Sequence, residues 1–122
     1  MARILMVDDS ALSRRMLRTI LEGGAHEVIE AGDGLIALER FSLERPELVT
    51  LDMTMKGMHG LDVLEKILQL NPDARVIGAS ADIQTATRKL FQEKGGKGFV
   101  EKPFAADRVL STVEAILKGE VP

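Results

Sequence analysis

The sequence has no cysteine, tryptophan or tyrosine, only two histidines and four prolines, and no long apolar run. Without cysteine there are no disulfides and no thiolate metal sites, which is compatible with a reducing cytoplasm. Four phenylalanines make up the whole aromatic complement, so a stacking site for a flavin or for unpaired bases would have little to be built from. His26 and His59 are isolated and do not read as a metal-binding pair. The N-terminal apolar stretch, Ile4 to Val7, stops at Asp8 and Asp9. It is too short for a signal-peptide core and far below the ~20 apolar residues of a membrane helix. No membrane insertion is expected, and the chain reads as cytoplasmic. The net charge of −3 gives no basic footprint, so direct contact with nucleic acid is not expected either.

What is present suits a single compact unit. A chain of 122 residues, 45% hydrophobic and 29% charged, can build one core and has no length to spare for a second. One domain over residues 1–122, with no output domain, is expected. Ile4-Leu5-Met6-Val7 is a continuous apolar run of the kind found in strands buried on both faces, and it ends in Asp8-Asp9-Ser10. Leu12, Met16 and Ile20, with Leu17 and Leu21 beside them, recur at helical spacing until Gly23-Gly24, and Arg14, Arg15 and Arg18 form the other, solvated face. His26 to Ala31 reads as a second strand, and Leu35, Leu38 and Phe41 mark a helix ending before Pro46. Leu48 to Leu51 is the third strand, closed by Asp52.

After a loop from Met53 to His59, Leu61, Leu64 and Leu68 repeat at helical spacing, with Val63 and Ile67 widening the stripe. Val76 to Ala79 is the fourth strand and ends in Ser80. A helix with a thin stripe, Ile83, Ala86 and Leu90, follows, and a thin stripe predicts a loosely held helix. Phe99-Val100 is a brief fifth strand ending at Lys102-Pro103, and Val109, Val113 and Ile116 share a face of the last helix. Five strands alternating with five helices predict an α/β fold: a doubly wound parallel sheet with right-handed crossovers and helices on both faces.

In such sheets ligands bind at the carboxyl ends of the strands. Those ends carry Asp8 and Asp9, Asp52, Ser80 and Lys102. Three carboxylates at one rim repel unless a cation neutralises them, and an oxygen-only set suits Mg²⁺. Asp9 and Asp52 are candidate direct ligands. One carboxylate with an oxygen left over can attack phosphorus, while Lys102 neutralises the developing charge. Ser80 can donate to a phosphoryl oxygen once one is present, which makes it a candidate sensor.

These pieces, Val7-Asp8-Asp9-Ser10, Leu51-Asp52-Met53-Thr54-Met55 with Gly57 and Gly60, Ala79-Ser80-Ala81 and Gly98-Phe99-Val100-Glu101-Lys102-Pro103-Phe104, resemble the receiver domain of bacterial two-component response regulators. The likeness spans essentially the whole chain and is to the stand-alone, CheY-like type. It implies a flavodoxin-like fold with strand order 2-1-3-4-5, for which this family is a standard case. It implies that Asp52 accepts a phosphoryl group from a histidine kinase or from a small donor such as acetyl phosphate. Asp9 would bind Mg²⁺ directly, Asp8 through water, and Thr54 through its backbone carbonyl. Ser80 would be the switch hydroxyl, Phe99 the switch aromatic, and Lys102 the phosphate-binding lysine, joined to Pro103 by a cis bond. The output would be altered binding of a downstream effector protein to the face made by the fourth helix, fifth strand and fifth helix. Thr54 and Asp82, two residues beyond the acceptor and the switch, would flank the hydrolytic water and set the lifetime.

Three positions depart from the family pattern. Lys56 stands where proline is usual, His59 where aspartate is common, and Phe99 replaces a frequent tyrosine, so the switch ring has no hydroxyl to donate. Among other classes, the aspartyl-phosphate phosphatases want a second acid where Thr54 stands. A flavodoxin-like electron carrier would set its FMN phosphate against Asp8 and Asp9. A receiver whose switch ignores phosphate would have no use for an intact Asp52, Ser80 and Lys102. Chemotaxis and phosphorelay roles, and a receiver excised from a longer regulator, stay open.

Overall fold

The structure, a computed structural model, describes residues 1–55, 59–81 and 85–120. Five strands alternate with five helices: β1 (Arg3–Val7), α1 (Ala11–Gly23), β2 (Glu27–Ala31), α2 (Gly34–Glu44), β3 (Leu48–Asp52), α3 (Gly60–Leu70), β4 (Val76–Ser80), α4 (Thr85–Glu93), β5 (Gly98–Glu101) and α5 (Ala106–Leu117). All pairings are parallel and the strand order is β2-β1-β3-β4-β5. Both the doubly wound sheet and the order 2-1-3-4-5 are therefore as expected.

The apolar runs of β1, β3 and β4 are buried because each strand is covered on both sides. Alternate residues serve different cores. Leu5, Val7, Val49, Leu51 and Val76 pack with α2, α3 and Phe91 of α4, whereas Ile4, Met6, Leu48, Ile77 and Ala79 pack with α1 and α5. Each fully buried aliphatic side chain contributes about 1.5–3 kcal/mol, so these strands are the most strongly held part of the molecule. Ser10 caps α1 by accepting from the Ser13 amide, and Asp33 caps α2 by accepting from the Ile36 amide. Among the described residues, no helix is long and apolar enough to cross a membrane.

Three helical stripes are centred differently from the expectation. In α1, Leu17 and Leu21 are buried, but Leu12 is 65% exposed and Met16 43%. Arg14, Leu17, Arg18 and Leu21 follow the i, i+3, i+4, i+7 rule, and that face is turned to the sheet so that both arginines reach Glu30 on β2. The α1 arginines are thus not all a solvated face. In α2 the buried residues are Gly34, Ala37 and Phe41, and Leu35 points outward. In α4 the anchor is Phe91, fully buried, while Leu90 is exposed. Ile83 and the side chain of Ala86 lie outside the described residues. The stripes of α3 and α5 are as expected, with Val63, Leu64 and Ile67, and with Val109, Val113 and Ile116, buried.

Candidate functional site

Backbone hydrogen bonds just beyond the strands gather the site. The Met53 amide donates to the Ala79 carbonyl at 2.9 Å, the Lys102 amide to the Ser80 carbonyl at 3.0 Å, and the Asp8 amide to the Ala31 carbonyl at 3.1 Å. The parallel ladder therefore continues one residue past the strand ends and aligns Asp8, Asp52, Ser80 and Lys102 along the carboxyl rim. The start of α3 closes on this rim because Gly60 has no side chain. A Cβ there would lie 3.0 Å from the Met53 backbone, next to Asp52.

Asp8, Asp9 and Asp52 each place a carboxylate oxygen so that all three lie within 4.8 Å of one another. Asp8 and Asp52 are buried and Asp9 is exposed, so the cluster opens to solvent on one side. Asp52 Oδ1 accepts from the Thr54 amide at 3.0 Å and the Thr54 hydroxyl at 2.9 Å. Asp52 Oδ2 faces Lys102 Nζ at 3.6 Å, a longer contact than the 2.8 Å between Lys102 Nζ and Asp8 Oδ2. The ammonium is held chiefly by Asp8. The other oxygen of Asp8, Oδ1, accepts from the Ser10 amide at 2.9 Å. Burial pushes the Asp8 carboxyl above its ordinary range despite the Lys102 and Ser10 hydrogen bonds, and the Asp52 charge adds to the rise.

The residues fit a hard divalent cation. Only oxygen donors converge, and two of the three carboxylates are buried, where their charge is costly without a counter-ion. Asp8, Asp9 and Asp52 could hold such an ion.

Most of the expected site residues come together. Ser80 is the buried last residue of β4, one position from Ala79, which is in register with Asp52. Thr54 sits against Asp52, but the contact observed is through its amide and hydroxyl. Lys102 is joined to Pro103 by a cis peptide bond and also lies 5.8 Å from the centre of the Phe104 ring. Phe99 is half-buried on β5, away from the acids, and packs against Phe91. His59 caps α3, its Nδ1 accepting from the Leu61 amide at 3.2 Å. Lys56, Gly57 and Asp82 lie outside the described residues.

Two features escaped the sequence. Arg14 donates to the Asp8 carbonyl at 2.6 Å and to Glu30 Oε1 at 2.9 Å, and Arg18 donates to Glu30 Oε2 at 2.7 Å. Glu30 thereby steers the α1 arginines, and through Arg14 the backbone of Asp8. The only hint was the i, i+4 spacing of Arg14 and Arg18. The second feature is the hydrogen bond of the Thr54 hydroxyl to Asp52, whereas the resemblance gives Thr54 a carbonyl role and a place beside the hydrolytic water.

Residues 4–114 match the family described as the response regulator receiver domain. The chain is 40% identical over 119 residues to the chemotaxis protein CheY of Listeria monocytogenes, covering 97% of this chain and 100% of that one. It is 41% identical over 116 residues to the chemotaxis protein CheY of Bacillus subtilis, covering 94% and 97%. Among solved structures, a two-component response regulator of the LuxR family from Aurantimonas superposes with a TM-score of 0.93 at 29% identity, over 98% of this chain and 87% of that one.

Proposed function

Because the chain belongs to the response regulator receiver domain family, as a CheY-like phosphoacceptor signalling protein rather than a classical enzyme, we propose that it relays two-component signals through phosphorylation of Asp52. The observation that carries this reading is the buried Asp52 carboxylate, clustered with Asp8 and Asp9 and facing the Lys102 ammonium.

Among the described residues, Thr54 holds Asp52 Oδ1 with two hydrogen bonds, and Oδ2 meets only the longer contact with Lys102. Oδ2 is the nucleophile. It attacks the phosphorus of a histidine kinase's phosphoimidazole; the P–N bond breaks, and its electron pair stays on the imidazole nitrogen, which takes a proton. With acetyl phosphate the broken bond is P–O and acetate leaves. Lys102 moves from Asp8 toward the phosphoryl oxygens and neutralises their charge. Ser80 donates its hydroxyl to one of them. Asp8, Asp9, Asp52 and the Thr54 carbonyl would hold Mg²⁺, which would supply electrostatic stabilisation of the charge on the transferring group.

The signal leaves by binding of an effector protein to the α4–β5–α5 face, with Phe99 as its reporter. The coverage of the chemotaxis relatives over their whole or nearly whole lengths supports a CheY-like signalling role. Incubation with acetyl phosphate and Mg²⁺ followed by intact-mass spectrometry tests the reading. A gain of one phosphoryl mass that disappears in Asp52→Asn is expected. No gain in folded wild-type protein with Mg²⁺ bound would sink it.

A further inference from the structure

The Phe99 ring occupies space that a side chain would fill at any residue but glycine. Gly78 on β4 is in register with Phe99 on β5. A Cβ built on Gly78 would lie 2.7 Å and 2.8 Å from two carbons of the Phe99 ring, and 3.2 Å from the tip of Phe91. Gly78 is an ordinary strand residue without positive φ, so its backbone conformation does not call for glycine. What glycine supplies here is room. Phe91 uses the same device, lying in the space left by Gly96, and the two rings meet edge to face with centroids 5.7 Å apart. The Arg88 guanidinium lies 5.7 Å from the Phe99 centroid. Alongside is a cavity of about 650 Å³ between α4, β5 and α5, lined in part by Arg88, Lys97, Phe99, Arg108 and Thr112.

We propose that Gly78 is a positioning residue for Phe99: the space above Gly78 seats the ring within the α4–β5–α5 face, and residue 78 thereby sets the shape of the neighbouring cavity. With Gly78 beneath it, Phe91 at its edge and Arg88 beside it, a ring driven from the seat moves into the cavity. Ser80 lies two residues further along β4, on the same side of the strand as Gly78. The room for the ring comes from the missing side chain at 78. The geometric claim stands independently of phosphorylation at Asp52.

The test is Gly78→Ala made in the Phe99 protein and in Phe99→Ala. In a strand, alanine restricts the unfolded chain more than glycine and so favours folding, whereas overpacking opposes it. With Phe99 present, Gly78→Ala should lower the folding equilibrium constant on the order of tenfold in urea titration. With Phe99→Ala the same change should be neutral or up to roughly threefold favourable. By NMR, contacts between Gly78 Hα and the Phe99 ring are expected in the unaltered protein. In Gly78→Ala the ring contacts should move to Arg108 and Thr112. Equal costs in the two backgrounds, or a ring that keeps its contacts with residue 78, would overturn the proposal. If Gly78→Ala does not fold, the unaltered protein still decides, because absence of the Gly78–Phe99 contact overturns it there. Phosphoryl uptake measured in parallel separates the two readings: a wild-type protein that takes up none refutes the proposed function and leaves the ring result standing.

Discussion

Replacing Lys102 by methionine removes a charge while keeping most of the side-chain stem. The ammonium lies 2.8 Å from Asp8 Oδ2 and 3.6 Å from Asp52 Oδ2, with both carboxylates buried. At an effective dielectric constant near 20 these attractions are about 6 and about 5 kcal/mol. The two acids have oxygens within 4.8 Å of each other, which at the same dielectric is a repulsion of at least about 3 kcal/mol. Removing the ammonium leaves that repulsion unopposed. The loss has a ceiling, however, because an acid whose charge becomes too costly takes up a proton. At pH 7 protonating an ordinary aspartate costs about 4 kcal/mol, and at pH 5 about 1.5 kcal/mol.

Lys102→Met is therefore expected to lose about 3–4 kcal/mol at pH 7 without Mg²⁺, in line with the cost of breaking a buried pair. For a domain of this size that is a fall of roughly 10–15 °C in Tm. Asp8 supplies the sign of the pH dependence. Its carboxyl is raised in the folded state by burial, so its contribution is fully present below the ordinary aspartate range and is lost as pH rises through the raised folded value. Without Lys102 that folded value climbs further, and the difference between variant and wild type should shrink to about 1.5 kcal/mol or less at pH 5. Saturating Mg²⁺ should shrink it too, by supplying counter-charge. Urea unfolding at pH 5 and pH 7, with and without Mg²⁺, measures all four values. A loss below about 1 kcal/mol at pH 7, or one indifferent to both pH and Mg²⁺, would refute the electrostatic reasoning.

Two further predictions follow from the packing of α1. Glu30→Gln should cost no more than about 1 kcal/mol at pH 7, since its ion pairs with Arg14 and Arg18 are part-exposed. Burial opposes its ionisation, but the hydrogen bonds from Arg18 and Arg14 outweigh it and hold the carboxyl below its ordinary range. The contribution is thus present above the ordinary glutamate pKa and lost as pH falls through the depressed folded value, so chemical denaturation should show the two proteins converging in acid. Leu17→Ala should lose about 3 kcal/mol, whereas Leu12→Ala should change stability by less than about 0.5 kcal/mol; similar losses at both would contradict the rotation of α1.

The periodicities in the sequence yielded every element of the fold, because strand and helix periods are local and each strand here ends at a polar residue or a turn. Asp8, Asp52 and Ser80 were legible for the same reason, each standing just after an apolar run, and Asp9 and Lys102 lie one residue further on. The facing of the helices was less so. In α1 two apolar rows compete, Leu12 with Met16 and Leu17 with Leu21, and the row that wins is the one whose flanking arginines find Glu30. In α4 and α2 the anchors Phe91 and Ala37 were hidden by Leu90 and Leu35, which are as apolar but point outward.

By itself the sequence determined the order of elements and the polar residues that stand at the strand ends. Both depend on residue type and on spacing within a single element. Only the tertiary structure decided that Lys102 leans on Asp8 rather than Asp52, that Thr54 ties one oxygen of Asp52, and that the Phe99 ring lies over Gly78. The Lys102 and Phe99 contacts join groups far apart in the chain and are set by strand order, register and the space each neighbour leaves, whereas the Thr54 contact spans two residues and depends on how the chain turns after β3.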